Sequence, residues 1–376
     1  MVHNDKSMPI FGILTVADEE RQFRGNRNNF IDIIRTGREA GIDVYVVTVS
    51  DLNLARRTAV GYRYDFSQKS WQKLMISLPR VLYNRIPQRE DELRPEVSQV
   101  LKACLKHPDI RLFNPAFFNK WSLFKWLRQS KMTRQYTPST RKFSDRLKLK
   151  EALQKYPLLY LKPEKGKAGR GIMKAQYFRK TRYPYVLTIQ DKKSSRTFKF
   201  RTLNHMRKKI KEHIGDEDYI VQQGIELASY KDRPFDLRIL VQKNIQGKWS
   251  ITGIGARVAG SLSITTHVPR GGSIDDPKRL LTNVFGPVTA KKILLRVKKA
   301  ALSIARQIER GSGRRHGEMS IDIGVDKSGH VWFFEANSKP MKFDEPEIRR
   351  KSLQKLIEYG YYLYTRSFQT QSRTRK

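Results

Sequence analysis

The sequence predicts an α/β domain of about 115 residues followed by a larger α+β unit. Three observations carry that prediction. The β-branched runs IFGILTVA (10–17) and IDVYVVTVS (42–50) flank FIDIIRTGREAG, a stretch with helical spacing that closes at Gly41, which is a β-α-β pattern. Residues 157–176, PLLYLKPEKGKAGRGIMKAQ, read as strand, glycine-rich loop, strand. The C-terminal third combines a long amphipathic helix with a final hairpin, MSIDIGVDKSGHVWFFEAN.

In chain order, RVLYNRIP (80–87) is a further apolar run, a charged helix is expected near 90–107, and RLFNP (111–115) reads as a short strand. FFNKWSLFKWLRQS (117–130) suits a helix, and Pro138 in YTPST breaks the chain after it. The stretch from Arg179 to His213 is crowded with Lys and Arg. A solvated edge hairpin with a helix is the simpler reading there, and a basic nucleic-acid face the alternative. YIVQQGIEL, FDLRILVQKN and SITGIGARVAG (219–260) are expected as strands of one antiparallel sheet. Residues 288–310 place Ile293, Leu294, Val297, Ala301, Ile304, Ala305 and Ile308 on one helical face. The tail SFQTQSRTRK is polar and basic and reads as frayed.

Composition limits the function. A chain of 376 residues with 39% apolar side chains can bury a real core, so wholesale disorder is excluded. Lys+Arg at 75 against Asp+Glu at 36 gives a formal charge of +39, which attracts polyanions. The sign leaves nucleic acid, an acidic peptide or polymer, a phosphorylated cofactor and an anionic membrane all open. Cys104 is the single cysteine, so no disulfide forms within the chain; a buried structural thiol in a reducing compartment is the expectation. The N-terminus lacks a basic secretory signal, and no apolar run is long enough to span a membrane, so synthesis in the cytoplasm is expected.

Three groups of residues could carry chemistry. In the final hairpin, a turn at DKSG pairs Val325 with His330, which sets Asp322 opposite Phe333 and on one face with Glu335 and Asn337. Phe334 and Ala336 then point into the core. Three oxygen donors without sulfur or imidazole suit Mg²⁺, or Mn²⁺, rather than Zn²⁺. Ordinary solvent-facing polar residues are the competing reading, because a loop one residue longer or shorter moves Asp322 to the opposite face. The second group is LKPEKGKAGRGI, where Lys162 precedes Gly166, Gly169 and Gly171. Glycines let backbone approach phosphate closely, and Lys adds a point charge. Ile172 and Met173 stand where a Walker A loop needs Lys and Ser/Thr. The third group is Arg238, Arg257 and Arg270. Asp236 offers Arg238 a structural partner, whereas Arg257 has no acid nearby in sequence and calls for a phosphate or substrate carboxylate.

These motifs in this order resemble the ATP-grasp superfamily, whose ligases hold a nucleotide in a cleft between two α+β lobes behind an α/β pre-domain. FFEANSKP and SIDIG look like its metal-binding strands, and YLKPEKGKAGRGI like its phosphate flap. With YNRIP, NPAFFNKW and YTPST the resemblance extends to the YheC/YheD family, described as endospore-coat-associated, over roughly residues 8–350. It implies a pre-domain at 1–116 and an ATP-grasp core at 117–350. The core's small lobe would be about 140–218 and its large lobe about 219–350, with a basic helix and tail at 351–376.

By the same resemblance, Lys120 and Lys162 contact ATP, and the backbone of Gln223, Gly224 and Ile225 reads adenine. Glu226 is the ribose partner, Gln223 standing where the superfamily commonly has Glu. Arg238 and Arg257 face phosphates or substrate, Arg270 belongs to a substrate-side loop, and Asp322, Glu335 and Asn337 hold one or two Mg²⁺. The implied chemistry is a carboxylate–amine ligation through an acyl phosphate, on a small molecule or an acidic peptide or polymer, with spore-coat proteins as partners. A non-catalytic ATP-binding coat or scaffold protein is the alternative, and polyanion or nucleic-acid binding the second alternative.

Overall fold

The computed structural model describes residues 9–165, 171–190, 194–260, 273–343 and 345–374, with side chains as far as Arg366. The first unit contains β1 (Ile10–Thr15), β2 (Ala17–Asp18), β3 (Gln22–Phe23), α1 (Arg27–Glu39), β4 (Asp43–Asn53), β5 (Thr58–Asp65), β6 (Ser70–Ser77), β7 (Val81–Asn84), α2 (Arg89–Leu93), α3 (Pro95–Lys106) and β8 (Arg111–Phe113). Its sheet has the order β6-β5-β4-β1-β7-β8, with β4, β1, β7 and β8 parallel. The β-α-β pattern is therefore realised. The hairpin of β5 and β6 extends one edge antiparallel and went unread in the sequence. Pro95 divides the charged helix into α2 and α3, since proline ends a helix at the residue before it. Cys104 is fully buried in this unit's core, and burial pushes its thiol up to about 11.

The second unit has α4 (Lys120–Arg128), α5 (Lys131–Arg134), β9 (Thr140–Lys142), α6 (Leu149–Lys155), β10 (Leu158–Pro163), β11 (Met173–Tyr177), β12 (Tyr185–Gln190), β13 (Ser195–Phe200), α7 (Leu203–Ile214) and β14 (Tyr219–Gln223). The sheet order is β13-β12-β11-β10-β14-β9. Leu159, Leu161, Met173, Ala175 and Leu187 turn one face onto α6 and α7. Within the segment from Arg179 to His213, β12 and β13 pair antiparallel at the sheet edge and α7 follows. β14 pairs with β10 and β9, so the three strands expected between 219 and 260 do not form one sheet.

The third unit adds β15 (Ser229–Tyr230), β16 (Arg233–Lys243), β17 (Trp249–Val258), β18 (Ser273–Asp275), α8 (Pro277–Phe285), α9 (Pro287–Ser312), β19 (Glu318–Val325), β20 (Val331–Asn337) and α10 (Pro346–Thr374). Its sheet runs β18-β17-β16-β19-β20. Strand alternation gives it two unlike faces. Leu237, Ile239, Ala256, Ile321, Ile323, Phe333 and Ala336 pack on α9 and α4. Asp236, Arg238, Arg257, Ser320, Asp322, Glu335 and Asn337 take the other side, as their direct pairing requires. Of the α9 residues expected to be apolar-side, all are buried except the partly buried Leu294.

The chain then returns to its start. Leu356, Ile357, Tyr359 and Leu363 of α10 complete the core of the first sheet beside Phe11, Ile13 and Tyr83. The segment read as a frayed tail is helical to Thr374.

Candidate functional site

The site begins with a register that differs from expectation. Val325 pairs with Val331 instead of His330, so the turn is one residue longer. A β-bulge between Asp322 and Ile323 then adds one residue on β20, and Asp322 lies opposite Glu335 rather than Phe333. The two departures offset each other: a longer turn alone would turn Asp322 away, and the bulge turns it back. Asp322, Glu335 and Asn337 share the polar face. The bulge also exchanges two aromatics, with Phe333 fully buried in the core and Phe334 on the cleft side beneath Lys162.

Carboxylates directly opposed across two strands repel unless cations lie close. Lys120, the first residue of α4, places Nζ 3.1 Å from Glu335 Oε1. Its helix is held by the Asn119 side chain, which accepts from the Ser122 amide at 3.0 Å. Arg257 donates to Asp322 Oδ2 at 2.8 Å and, through Nε and Nη2, to both oxygens of Asp236 at 2.8 and 2.7 Å. The sequence reading of Arg257 as lacking an acid is therefore corrected. Asp236 is its direct cross-strand partner, a pairing hidden by the distance between the two residues along the chain. Burial alone would lower the Arg257 pKa, but Asp322 and Asp236 outweigh it and hold the guanidinium firmly charged.

Arg238 does not pair with Asp236. It lies opposite Asp322 in the ladder, donates to Ser320 Oγ at 3.2 Å and stacks over Phe343 at 5.8 Å. Among the described residues it has no carboxylate partner, so it is the arginine of this face with donors to spare.

Lys162 leaves β10 from the second sheet and faces the same cleft. Its Nζ donates to Gln222 Oε1 at 2.7 Å. Desolvation pushes its pKa down to about 8; Glu335 and Asp322 pull the other way, while the Lys120 charge adds to the lowering. Gln222 is buried and donates onward to Thr140 Oγ1 at 3.0 Å. Gln222, which the sequence reading did not single out, is thus the residue whose side chain meets Lys162; alternation along β14 was the signal for it.

Gln223 accepts from the Ser139 amide at 3.2 Å, and the Gly224 amide donates to Leu158 O at 2.8 Å. A Cβ on Gly224 would come within 2.1 Å of Leu158, so only glycine permits this approach. Ile225 follows, partly buried, and the exposed Glu226 pairs with Lys327 at 2.9 Å. Gly171 adopts φ 69° at the foot of the loop, and its carbonyl accepts from Tyr219 Oη at 3.0 Å. Gly166, Gly169 and Arg270 lie outside the described residues.

The end of β20 is riveted to the first unit, which sequence reading missed. Lys339 Nζ donates to Asn84 Oδ1 at 2.9 Å, to Ile86 O at 3.1 Å and to the Glu92 carboxylate. Asn114 Nδ2 bonds Glu318 O at 2.8 Å and also reaches Ser338 O. Arg85 donates to Pro340 O at 3.2 Å. YNRIP and ANSKP are therefore two halves of one joint, and the Lys339-Pro340 stop fixes where Asn337 stands.

The donor set fits a hard divalent ion. Two carboxylates and one amide share one face of adjacent strands without soft ligands, and lysines face them from α4 and β10.

Comparison with known proteins gives the family and the fold. The family model described as YheC/D like ATP-grasp matches residues 109–363. The endospore coat-associated protein YheD of Bacillus subtilis (strain 168) is 28% identical over 366 residues, covering 95% of this chain and 78% of that protein. The ATP-grasp ligase PsnB, solved with a minimal precursor, Mg and ADP, superposes with TM-score 0.52 at 13% identity, covering 94% of this chain and 98% of that one. The D-alanine-D-alanine ligase from Coxiella burnetii also gives TM-score 0.52 at 13% identity, covering 98% of each chain.

Proposed function

The chain belongs to the YheC/D-like ATP-grasp family, and we propose that it is an ATP- and Mg²⁺-dependent ligase joining a carboxylate to an amine. The observation that carries this reading is Asp322 directly opposite Glu335, faced across the cleft by Lys162. Asp322, Glu335 and Asn337 would hold Mg²⁺, with Mn²⁺ as the substitute. Bound there, the ion would screen the nucleotide's phosphates.

Lys162 and Lys120 would attract the phosphates from the other side of the cleft, and Gln222 would keep the Lys162 ammonium aimed inward. The backbone after β14 would take adenine, and Glu226 would take ribose once released from Lys327. Arg257 acts through Asp322 and is a positioning residue. Arg238 would meet the oxygens that gain charge as the phosphoryl group transfers. In that reaction a substrate carboxylate oxygen attacks the γ-phosphorus and ADP leaves; the amine then attacks the acyl carbon, phosphate leaves, and the amine's proton goes to solvent. No side-chain nucleophile takes part.

The net charge of +39 favours an acidic acceptor, such as a glutamate-rich peptide or polymer. We place the protein at the spore coat on the strength of its relative's name. The same name supports a second reading, an ATP-binding coat protein without turnover.

Calorimetry with MgATP, followed by phosphate release in the presence of amino acids and acidic peptides, tests both. Binding that disappears in Glu335→Ala together with acceptor-dependent phosphate release is the expected result. Binding without release from any acceptor favours the scaffold. Failure of the wild type to bind MgATP overturns both.

A further inference from the structure

The helix α9, 26 residues long, carries a second, independent feature on the side away from the cleft. Its inner residues pack on the apolar face of the β16-β17-β19-β20 sheet. At 100° per residue its outer face is centred on Val288, Leu295, Lys299 and Arg306, with Lys291 and Lys298 along one flank and Lys292 and Arg296 along the other. All are exposed, and Val288 and Leu295 are 68% and 59% exposed. None of these basic side chains forms an ion pair among the described residues. Glu309, the acidic residue of the helix, turns aside to Lys243 and Trp249. From Val288 to Arg306 the face spans about 27 Å.

Two bare apolar side chains seven residues apart among lysines give this solvated face both an apolar and a cationic contact, the two that an interfacial helix offers a bilayer. A nucleic-acid backbone would answer the lysines but offers nothing to Val288 and Leu295. A bilayer with anionic headgroups answers both, the phosphates meeting Lys291, Lys292, Lys298 and Lys299 while the two apolar residues enter the headgroup boundary.

We infer that the outer face of α9 docks the protein on an anionic membrane surface. The polar face bearing Asp322 and Glu335 lies on the opposite side of the sheet from α9. A protein lying on the bilayer in this way keeps its cleft open to water. This inference does not depend on the ligase reading.

The test is co-sedimentation of the full chain with vesicles of phosphatidylcholine, with and without phosphatidylglycerol. Binding is expected only with phosphatidylglycerol and should weaken with added salt. Replacing Lys291, Lys292, Lys298 and Lys299 by Gln should lower partitioning about fivefold per charge. Val288→Ser with Leu295→Ser, which leaves the charge unchanged, should lower it about tenfold. An unchanged thermal midpoint and unchanged MgATP binding show that the variants are folded. Equal vesicle binding by wild type and the four-Gln variant would assign adhesion to the rest of the +39 surface and overturn the inference. So would indifference to the two Ser substitutions, or binding to duplex DNA or an acidic peptide without binding to vesicles.

Discussion

Two lysines, Lys162 and Lys339, are pushed down to about 8 by the same cause, desolvation, yet their surroundings differ. Lys339 has three acceptors: a carboxylate, an amide oxygen and a backbone carbonyl. Its ammonium protons are all used, and it joins the first unit to the end of β20. Among the described residues Lys162 has one hydrogen-bond acceptor, the neutral Gln222, while the carboxylates that stabilise its charge belong to the opposite side of the cleft. A lysine with every donor satisfied is a structural joint. One held charged with a single described acceptor would keep donors for the proposed phosphate contact.

The comparison is broken most severely at Lys339. Lys339→Met leaves the Glu92 carboxylate buried without its cation and should destabilise the protein by about 3–5 kcal/mol in denaturant unfolding. Arg257→Met should cost about 3 kcal/mol, since Asp236 and Asp322 lose the guanidinium between them, and should also weaken Mn²⁺ binding.

Lys162→Met should do the opposite at its own site. MgATP affinity should fall 10- to 100-fold, about 1.4–2.8 kcal/mol, while stability at pH 7 rises by about 1 kcal/mol because a desolvated charge has been removed. Calorimetry and thermal unfolding on the same samples check the two signs.

The pH dependence sharpens the contrast further. A folded pKa near 8 against an ordinary 10.5 means that the folded state holds fewer protons between those values, so the Lys162 contribution to stability rises with pH across that window. Nucleotide affinity should move the other way. It should be flat below pH 8 and fall by up to about tenfold per pH unit above it, as the ammonium that meets phosphate discharges. In Lys162→Met this fall should disappear.

Much of this arrangement was legible in the sequence because strand alternation is local. Alternation put Glu335 with Asn337, and Asp236 with Arg238, on shared faces, and helical spacing marked the buried side of α9. The partnerships were not legible, because they join residues far apart in the chain. Arg257 meets Asp236 and Asp322 through three different strands, and Lys339 meets Glu92 across 247 positions. The Asp322 to Glu335 pairing depends on a longer turn and a bulge that no propensity announces, so the expected face was reached through a register that does not occur. The side-chain role of Gln222 was not legible because its partner Lys162 lies 60 positions away, on a neighbouring strand. The β5 and β6 hairpin was missed because its residues alternate on an edge with one side in water, leaving no continuous apolar run.

The central claim is that Asp322, Glu335 and Asn337 form one divalent-metal site that works with a nucleotide. Mn²⁺ titration followed by electron paramagnetic resonance, with ADP present, tests it most directly in wild type and in Asp322→Asn/Glu335→Gln. Tight Mn²⁺ binding in the wild type that is lost in the double variant is predicted. Equal binding in both proteins, or none in the wild type, would contradict it.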